Sequence, residues 1–583
     1  MRIHRHLIGL SILLGASALS VSWAQEQPAP VGSEAGTASC RCCLSDRVAA
    51  PYLRKLKPPT RRDNVGTSHL KITTSSPEAQ IWFDQGLNLL HCFWELEAYR
   101  CFLRAAELDP DCAMAYWGLC MSLPGKTIEA QTPRAEALAM AKKLAPKASR
   151  HEQLYIEGVE ILIQQGPPKY TPVLRKILEE FPDDLDARAW LAFFIKDGYF
   201  EGTSIANAGQ SEALRLLREG IVTSPDHLGC HHYMIHALES GPEFAKAIPN
   251  AKRLVELAPG SAHLLHMPGH LAFLQGDFKE SLKSFKASHD FDTAYLKSDE
   301  IPAFDHPHYL HNLHYLAMSQ AELGQWKDAM TTADTYRSVT LDPARTKPEG
   351  RFQQLYSGRA LPAKIAMMFG RWDVALAKLE EGPSIEADCQ GAALFHEALR
   401  TYLRGRIACE AGERRPSAAA VKAMEQLGRN LIAYGKTIEL STERLYHTRS
   451  LKFLDILMNE LRFTASNVDR TAPINSIHAS NALDREKALG YEEPPVLARS
   501  SAYSLGEVAL QHRQWDKAHD AFTTSLENRP GSPWAILGQA RARAGAGRTD
   551  EAKALYQQVV ERWDGIADAD LPELVEAKAA VGK

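Results

Sequence analysis

Phe102-Leu-Arg-Ala-Ala-Glu-Leu-Asp-Pro110, followed by Ala113-Met-Ala-Tyr-Trp-Gly-Leu119, is the stretch from which the fold can be read. Apolar residues in both phrases recur at helical spacing. Between them stands Asp109-Pro110, and proline is tolerated at the start of a helix but not in its interior. The phrasing returns along the chain. Lys142–Pro146 is one instance, and Phe181-Pro-Asp-Asp184 stands before Ala187-Arg-Ala-Trp-Leu191. Ser224-Pro225 and Leu257-Ala-Pro259 each precede a histidine-bearing segment, and their prolines are 34 residues apart. That is the period of a helix–turn–helix unit.

These phrases resemble the tetratricopeptide repeat, in which a small residue lets two helices approach and Asp-Pro ends one helix and starts the next. Gly276-Asp-Phe278 and Gly324-Gln-Trp326 read as turns between paired helices, and Phe369-Gly-Arg-Trp372 with Ala375 as another. Residues 380–480 are helical in pattern but keep no clear register. The register returns in Ser504-Leu-Gly506, Gln514-Trp515, Ala518, Phe522, Pro530, Trp534-Ala-Ile-Leu-Gly538, Ala552 and Tyr556. The resemblance covers about two-thirds of the chain. It implies an all-α, tetratricopeptide-like helical solenoid of stacked antiparallel helix pairs with a concave groove and no substantial sheet. Cys112-Ala-Met-Ala-Tyr-Trp-Gly118, His266-Met-Pro-Gly-His270, His311-Asn-Leu-His314 and Glu492-Glu-Pro-Pro495, in that order, also resemble a group of large exported bacterial tetratricopeptide proteins with His-rich repeats. Neither resemblance implies a chemistry.

The expected organisation is a signal peptide over 1–24, a flexible Cys-containing tether over 25–75, and an N-terminal repeat array over 76–345. A helical middle region with degenerate repeats follows over 346–480, then C-terminal repeats over 481–583. Arg2 and Arg5 precede an apolar run, Leu7 to Val21, and Ser22-Trp23-Ala24 offers small residues for cleavage before Gln25. The run is too short to span a bilayer well, and no later segment approaches the roughly 20 apolar residues required. A periplasmic or secreted protein without a transmembrane segment is expected. Cleavage would move the formal charge from −4 to −6. With no basic tract, nucleic-acid binding is not expected. All ten cysteines follow the signal and would meet an oxidising compartment. Cys40, Cys42 and Cys43 suit a local disulfide or a flexible thiol tail, with metal loading as the alternative. Cys92, Cys101, Cys112 and Cys120 suit buried thiols or one disulfide. Cys-x-x-Cys-His is absent, so haem attachment is not expected.

The strongest functional signal is histidine. Twelve of the 22 histidines fall between His227 and His314. At roughly 100° per residue, His263, His266 and His270 lie within about 60° of one another on a helix, opposite Leu265, Gly269 and Ala272. His232, His236 and Glu239 repeat the face upstream; His311, His314 and Met318 repeat it downstream. His232 to His266 and His236 to His270 are each 34 residues. His266 to His314 is 48, one period plus an insertion containing Asp299-Glu-Ile-Pro-Ala-Phe-Asp-His-Pro-His308, which suits a lid, a rim or a neutral surface loop. Pro268 should kink its helix.

Small and apolar residues pack helix A on helix B, so the His faces should open into the groove. Packed helices lie about 8–10 Å apart, close enough for imidazoles from neighbouring helices to share an ion at roughly 2.0–2.1 Å. The candidate metal ligands are His232, His236, His263, His266, His270, His311 and His314. Glu239 is a candidate ligand or general base. Imidazole with one carboxylate suits Zn, Cu, Fe or Ni. The Glu-x-x-His order of zincins, a P-loop and a Gly-x-Ser-x-Gly elbow are all absent. Two functions fit: an exported protein binding a transition metal in a His-rich groove, with or without turnover, or a non-catalytic scaffold whose groove holds a peptide or partner protein.

Overall fold

The computed structural model describes residues 57–123, 131–200, 203–341, 352–381, 389–439 and 441–582. The expected signal peptide, the Cys40–Cys43 cluster and the tether up to residue 56 lie outside them. The protein is all-α: among the described residues there is no strand, only an isolated bridge between Tyr199 and Ala206. No helix among them is long and apolar enough to cross a membrane.

The chain divides into two compact units. The first contains residues up to Leu271 and Ala287–Tyr309; the second contains Ala272–Lys286, Leu310–Leu341 and the described residues from 352 onward. This division does not follow the boundaries at 345 and 480 read from the sequence. In chain order the helices up to residue 322 are α1 (Pro77–His91), α2 (Glu95–Leu108), α3 (Ala113–Ser122), α4 (Gln131–Leu144), α5 (Arg150–Gln165), α6 (Pro167–Glu180), α7 (Leu185–Ile195), α8 (Ala208–Thr223), α9 (Leu228–Leu238), α10 (Ile248–Leu257), α11 (Ala262–Gln275), α12 (Phe278–Asp299) and α13 (Pro307–Glu322).

In the first unit, α1 packs on α2, α3 on α4, α5 on α6, α7 on α8 and α9 on α10. The small residue expected at each close approach is visible. A Cβ at Gly118 of α3 would stand 2.3 Å from the Phe102 ring of α2, and one at Gly86 of α1 would stand 2.8 Å from it. Asp184 caps α7 through the Ala187 N–H at 2.8 Å. Ser149 and Glu152 form a capping box on α5, satisfying two otherwise orphaned donors. Residues 57–75, expected as part of a flexible tether, are pinned instead. Arg62 N–H donates to Gln85, Ser68 N–H to Asn88 and Thr73 N–H to Glu152, at 2.7–2.9 Å. Amide and carboxylate side chains on the helices thus replace the ladder partners an extended segment lacks. Cys92, Cys101, Cys112 and Cys120 are buried free thiols, so the disulfide alternative is not realised.

The second unit repeats the same device. Gly506 and Gly538 both abut Phe522, where an added Cβ would meet the ring at 2.6 and 2.5 Å. The lost register of 380–480 has a simple cause. Gln390–Glu410, Arg414–Gly435 and Ser441–Ser466 are helices of 21, 22 and 26 residues, longer than a 34-residue two-helix repeat accommodates.

Candidate metal centre

Helix α9 begins at His227, whose Nδ1 accepts the Cys230 N–H at 3.2 Å as an N-cap. One turn separates His232 from His236, which places both on one face, and Glu239 follows the helix end. Helix α11 brings His263, His266 and His270 to the same place. Helix α9 can approach α1 because position 229 is glycine: a Cβ there would stand 2.6 Å from His91 Nδ1.

Three Nε2 atoms converge. His232 Nε2 lies 3.0 Å from His263 Nε2 and 3.1 Å from His236 Nε2. These atoms meet the spacing of a group able to hold a metal ion. The far side of each ring decides what they offer. His232 donates Nδ1–H to the carbonyl oxygen of His91 at 2.5 Å, and a carbonyl can only accept. His236 donates Nδ1–H to Glu239 Oε1 at 2.6 Å. In the neutral rings both Nε2 atoms therefore carry lone pairs, facing each other. Such a contact calls for a cation between them, either a proton or a metal. Burial, with His236 beside it, holds His232 well below the ordinary histidine range, and burial with His308 and His232 does the same for His263. Protonation of His232 or His263 is thus disfavoured.

Glu239 gives its second oxygen to another ring. His270 Nδ1 lies 3.2 Å from Glu239 Oε2, and His270 Nε2 is in contact with His266 Nε2. Burial alone would raise the Glu239 carboxyl, but His236 and His270 outweigh it and keep it below the usual carboxylate range. With both oxygens accepting from imidazole Nδ1, Glu239 is placed to orient two rings, in the manner of carboxylate–histidine–metal sites.

The sequence led us to expect imidazoles open to a groove; they are buried instead. His232 is fully buried and His263 is 6% exposed. Phe93, in the turn after α1, covers the rings: its centroid is 4.6 Å from His232 and 5.5 Å from both His236 and His263. Its φ of 54° is the left-handed backbone that a phenylalanine rarely adopts. The ring of His308, from the insertion, lies tilted against that of His263, with centroids 4.3 Å apart. The insertion thus packs over the imidazoles.

A second buried group, His91, Asp186 and His227, reads differently. His91 Nε2 and His227 Nε2 lie 2.8 and 3.2 Å from the same Asp186 oxygen, and His91 Nδ1 lies 3.0 Å from the Tyr233 hydroxyl. Each ring nitrogen has a complementary partner, so this cluster is a satisfied polar core. Its members were not singled out in the sequence, where His91 and Asp186 carry no periodic signal.

The remaining histidines of this stretch in the first unit have other partners. His231 turns away to Asn250 and the Pro225 carbonyl, His306 pairs with Asp292 at 2.6 Å, and His289 stacks on Tyr309. His311 and His314 belong to the second unit. There His311 lies 3.0 Å from Glu493, while burial and Lys364 hold His314 well below the ordinary histidine range.

A tetratricopeptide-repeat family profile matches residues 509–563. No curated protein matches the chain in sequence. Among solved structures, Naa15/Naa10 bound to HypK-THB aligns at 14% identity over 74% of this chain and 66% of that one, with a TM-score of 0.25. About a third of that relative is therefore not spanned. The human IFIT1 dimer with m7Gppp-AAAA aligns at 12% identity over 89% of this chain and 94% of that one, with a TM-score of 0.32. Neither alignment bears on what this chain binds. Residues 509–563 carry a tetratricopeptide repeat, and its glycine-on-phenylalanine contact at Phe522 recurs in the first unit at Phe102.

Proposed function

We propose that this chain is an exported tetratricopeptide-repeat protein that binds a transition-metal ion through Nε2 of His232, His236 and His263. The observation carrying this reading is the tautomer arrangement: His91 and Glu239 take the Nδ1 protons of His232 and His236, leaving their Nε2 lone pairs facing at 3.1 Å, with His263 Nε2 3.0 Å from that of His232. Neutral imidazole donors suit Zn, Cu, Fe or Ni. Three nitrogens leave one position of a tetrahedral ion for an exogenous ligand, as catalytic rather than closed structural sites do. Glu239 orients His236 and is not the base in this reading. Competition of the apoprotein with a chromophoric zinc chelator tests it. His232→Ala, His236→Ala and His263→Ala should each weaken zinc at least 100-fold, and His231→Ala should not. Equal affinity in all four would remove the proposal.

A second reading, a scaffold for a protein or peptide partner, draws on the repeat at 509–563. It concerns the second unit and is compatible with a metal in the first.

A further inference from the structure

The first unit offers the same donor chemistry twice. In α11, His266 and His270 stand one helical turn apart with their Nε2 atoms in contact. An i, i+4 histidine pair is a recurrent way to place two nitrogens on one ion. The His266 ring lies 5.9 Å from the His263 ring, so this pair adjoins the first cluster without belonging to it. Both rings are almost completely buried.

Glu239 ties the two groups together. Its Oε1 takes the His236 Nδ1–H at 2.6 Å, and its Oε2 takes that of His270 at 3.2 Å. One carboxylate therefore sets the same tautomer in two imidazoles of different clusters, and each ring turns its Nε2 lone pair toward its own neighbours. A carboxylate serving only one ion would need only one of these bonds. A carboxylate merely filling the core would not need to hold two rings in the ligand tautomer.

We propose that His266 and His270 chelate a second metal ion beside the first, and that Glu239 orients one ligand of each. This rests on the His232, His236 and His263 reading for the first ion. The second ion should bind more weakly, because it has fewer ligands in this unit and meets the charge of the first across a short, poorly solvated distance. Glu239 is a positioning residue for both. Orienting partners of this kind typically contribute 10–100-fold in metal affinity.

The full-length apoprotein, titrated with Co(II) alone and followed by its visible ligand-field bands, tests this. The metal retained after desalting gives the stoichiometry. Wild type should take up two equivalents in two resolvable phases. His266→Gln and His270→Gln should remove only the weaker phase, and His232→Gln only the tighter one. Glu239→Gln should weaken both phases by 10-fold or more while far-UV circular dichroism stays unchanged. One equivalent in wild type, lost in His232→Gln and kept in His266→Gln, would overturn the second ion and leave the first. One equivalent lost in both would mean a single shared ion and would also overturn it. No uptake at all would remove both ions. A Glu239→Gln effect on one phase alone would overturn the coupling. The wild-type stoichiometry needs no variant to fold.

Discussion

The Nδ1 of His232 lies 2.5 Å from the backbone carbonyl oxygen of His91, a residue 141 positions earlier in the chain. Because the acceptor is backbone, its position depends on what holds His91. Asp186 binds that ring at 2.8 Å from within the polar core. Asp186→Asn should therefore lower zinc affinity at the three-histidine centre by about 10-fold, the low end for partners that orient a ligand. Chelator competition measures this, and His227→Gln, which leaves His91 in place, should change it less.

Phe93 covers the imidazoles from a left-handed backbone position. Phe93→Ala should cost about 1–3 kcal/mol of stability through lost ring packing. It should also speed removal of bound metal by excess chelator about 10-fold, since the ring lies against all three imidazoles. Stopped-flow release curves and thermal melts separate the two effects. Unchanged release would mean the exit lies elsewhere.

In the second unit Lys364 is buried, 5.1 Å over the Phe453 ring, and burial pushes its ammonium down to about 8. A lysine pKa depressed on folding costs stability as pH falls from the usual range near 10.4 through about 8, because the unfolded chain takes up the proton first. Lys364→Met should therefore raise stability by about 1–3 kcal/mol at pH 7. The gain should shrink at pH 9.5. Thermal melts at the two values check both the sign and the trend, and a loss of stability at pH 7 would contradict them.

Export predicts that mature protein begins near Gln25. Intact-mass measurement of protein recovered from the periplasm or medium checks this. Recovery only from the cytoplasm with Met1 in place would contradict it.

Much of the helix-pair fold was legible because its cause is local. A glycine opposite Phe102 or Phe522 and a proline at a helix start are visible as residues and spacing. The 34-residue register also put His232, His236, Glu239, His263, His266 and His270 on facing helices. What it could not provide was depth. An angle on a helix does not say whether a groove is open. The cover comes from Phe93 and His308, which are distant in sequence and have no period. His91 was invisible for a further reason: it contributes a backbone carbonyl, a group every residue has. His311 and His314 share the pattern of the other histidines, yet they fall in the second unit, beside Glu493 and Lys364. Helical phase cannot reveal a division between units.

The most direct test of the central claim is elemental analysis by mass spectrometry of full-length protein, expressed without a His tag and purified without chelators. Wild type and His231→Ala should carry a transition metal in at least equimolar amount. His232→Ala, His236→Ala and His263→Ala should each lose the ion held by the three Nε2 atoms. Equal metal content in wild type and those three variants, or none in wild type even after reconstitution, would contradict a metal centre at these histidines.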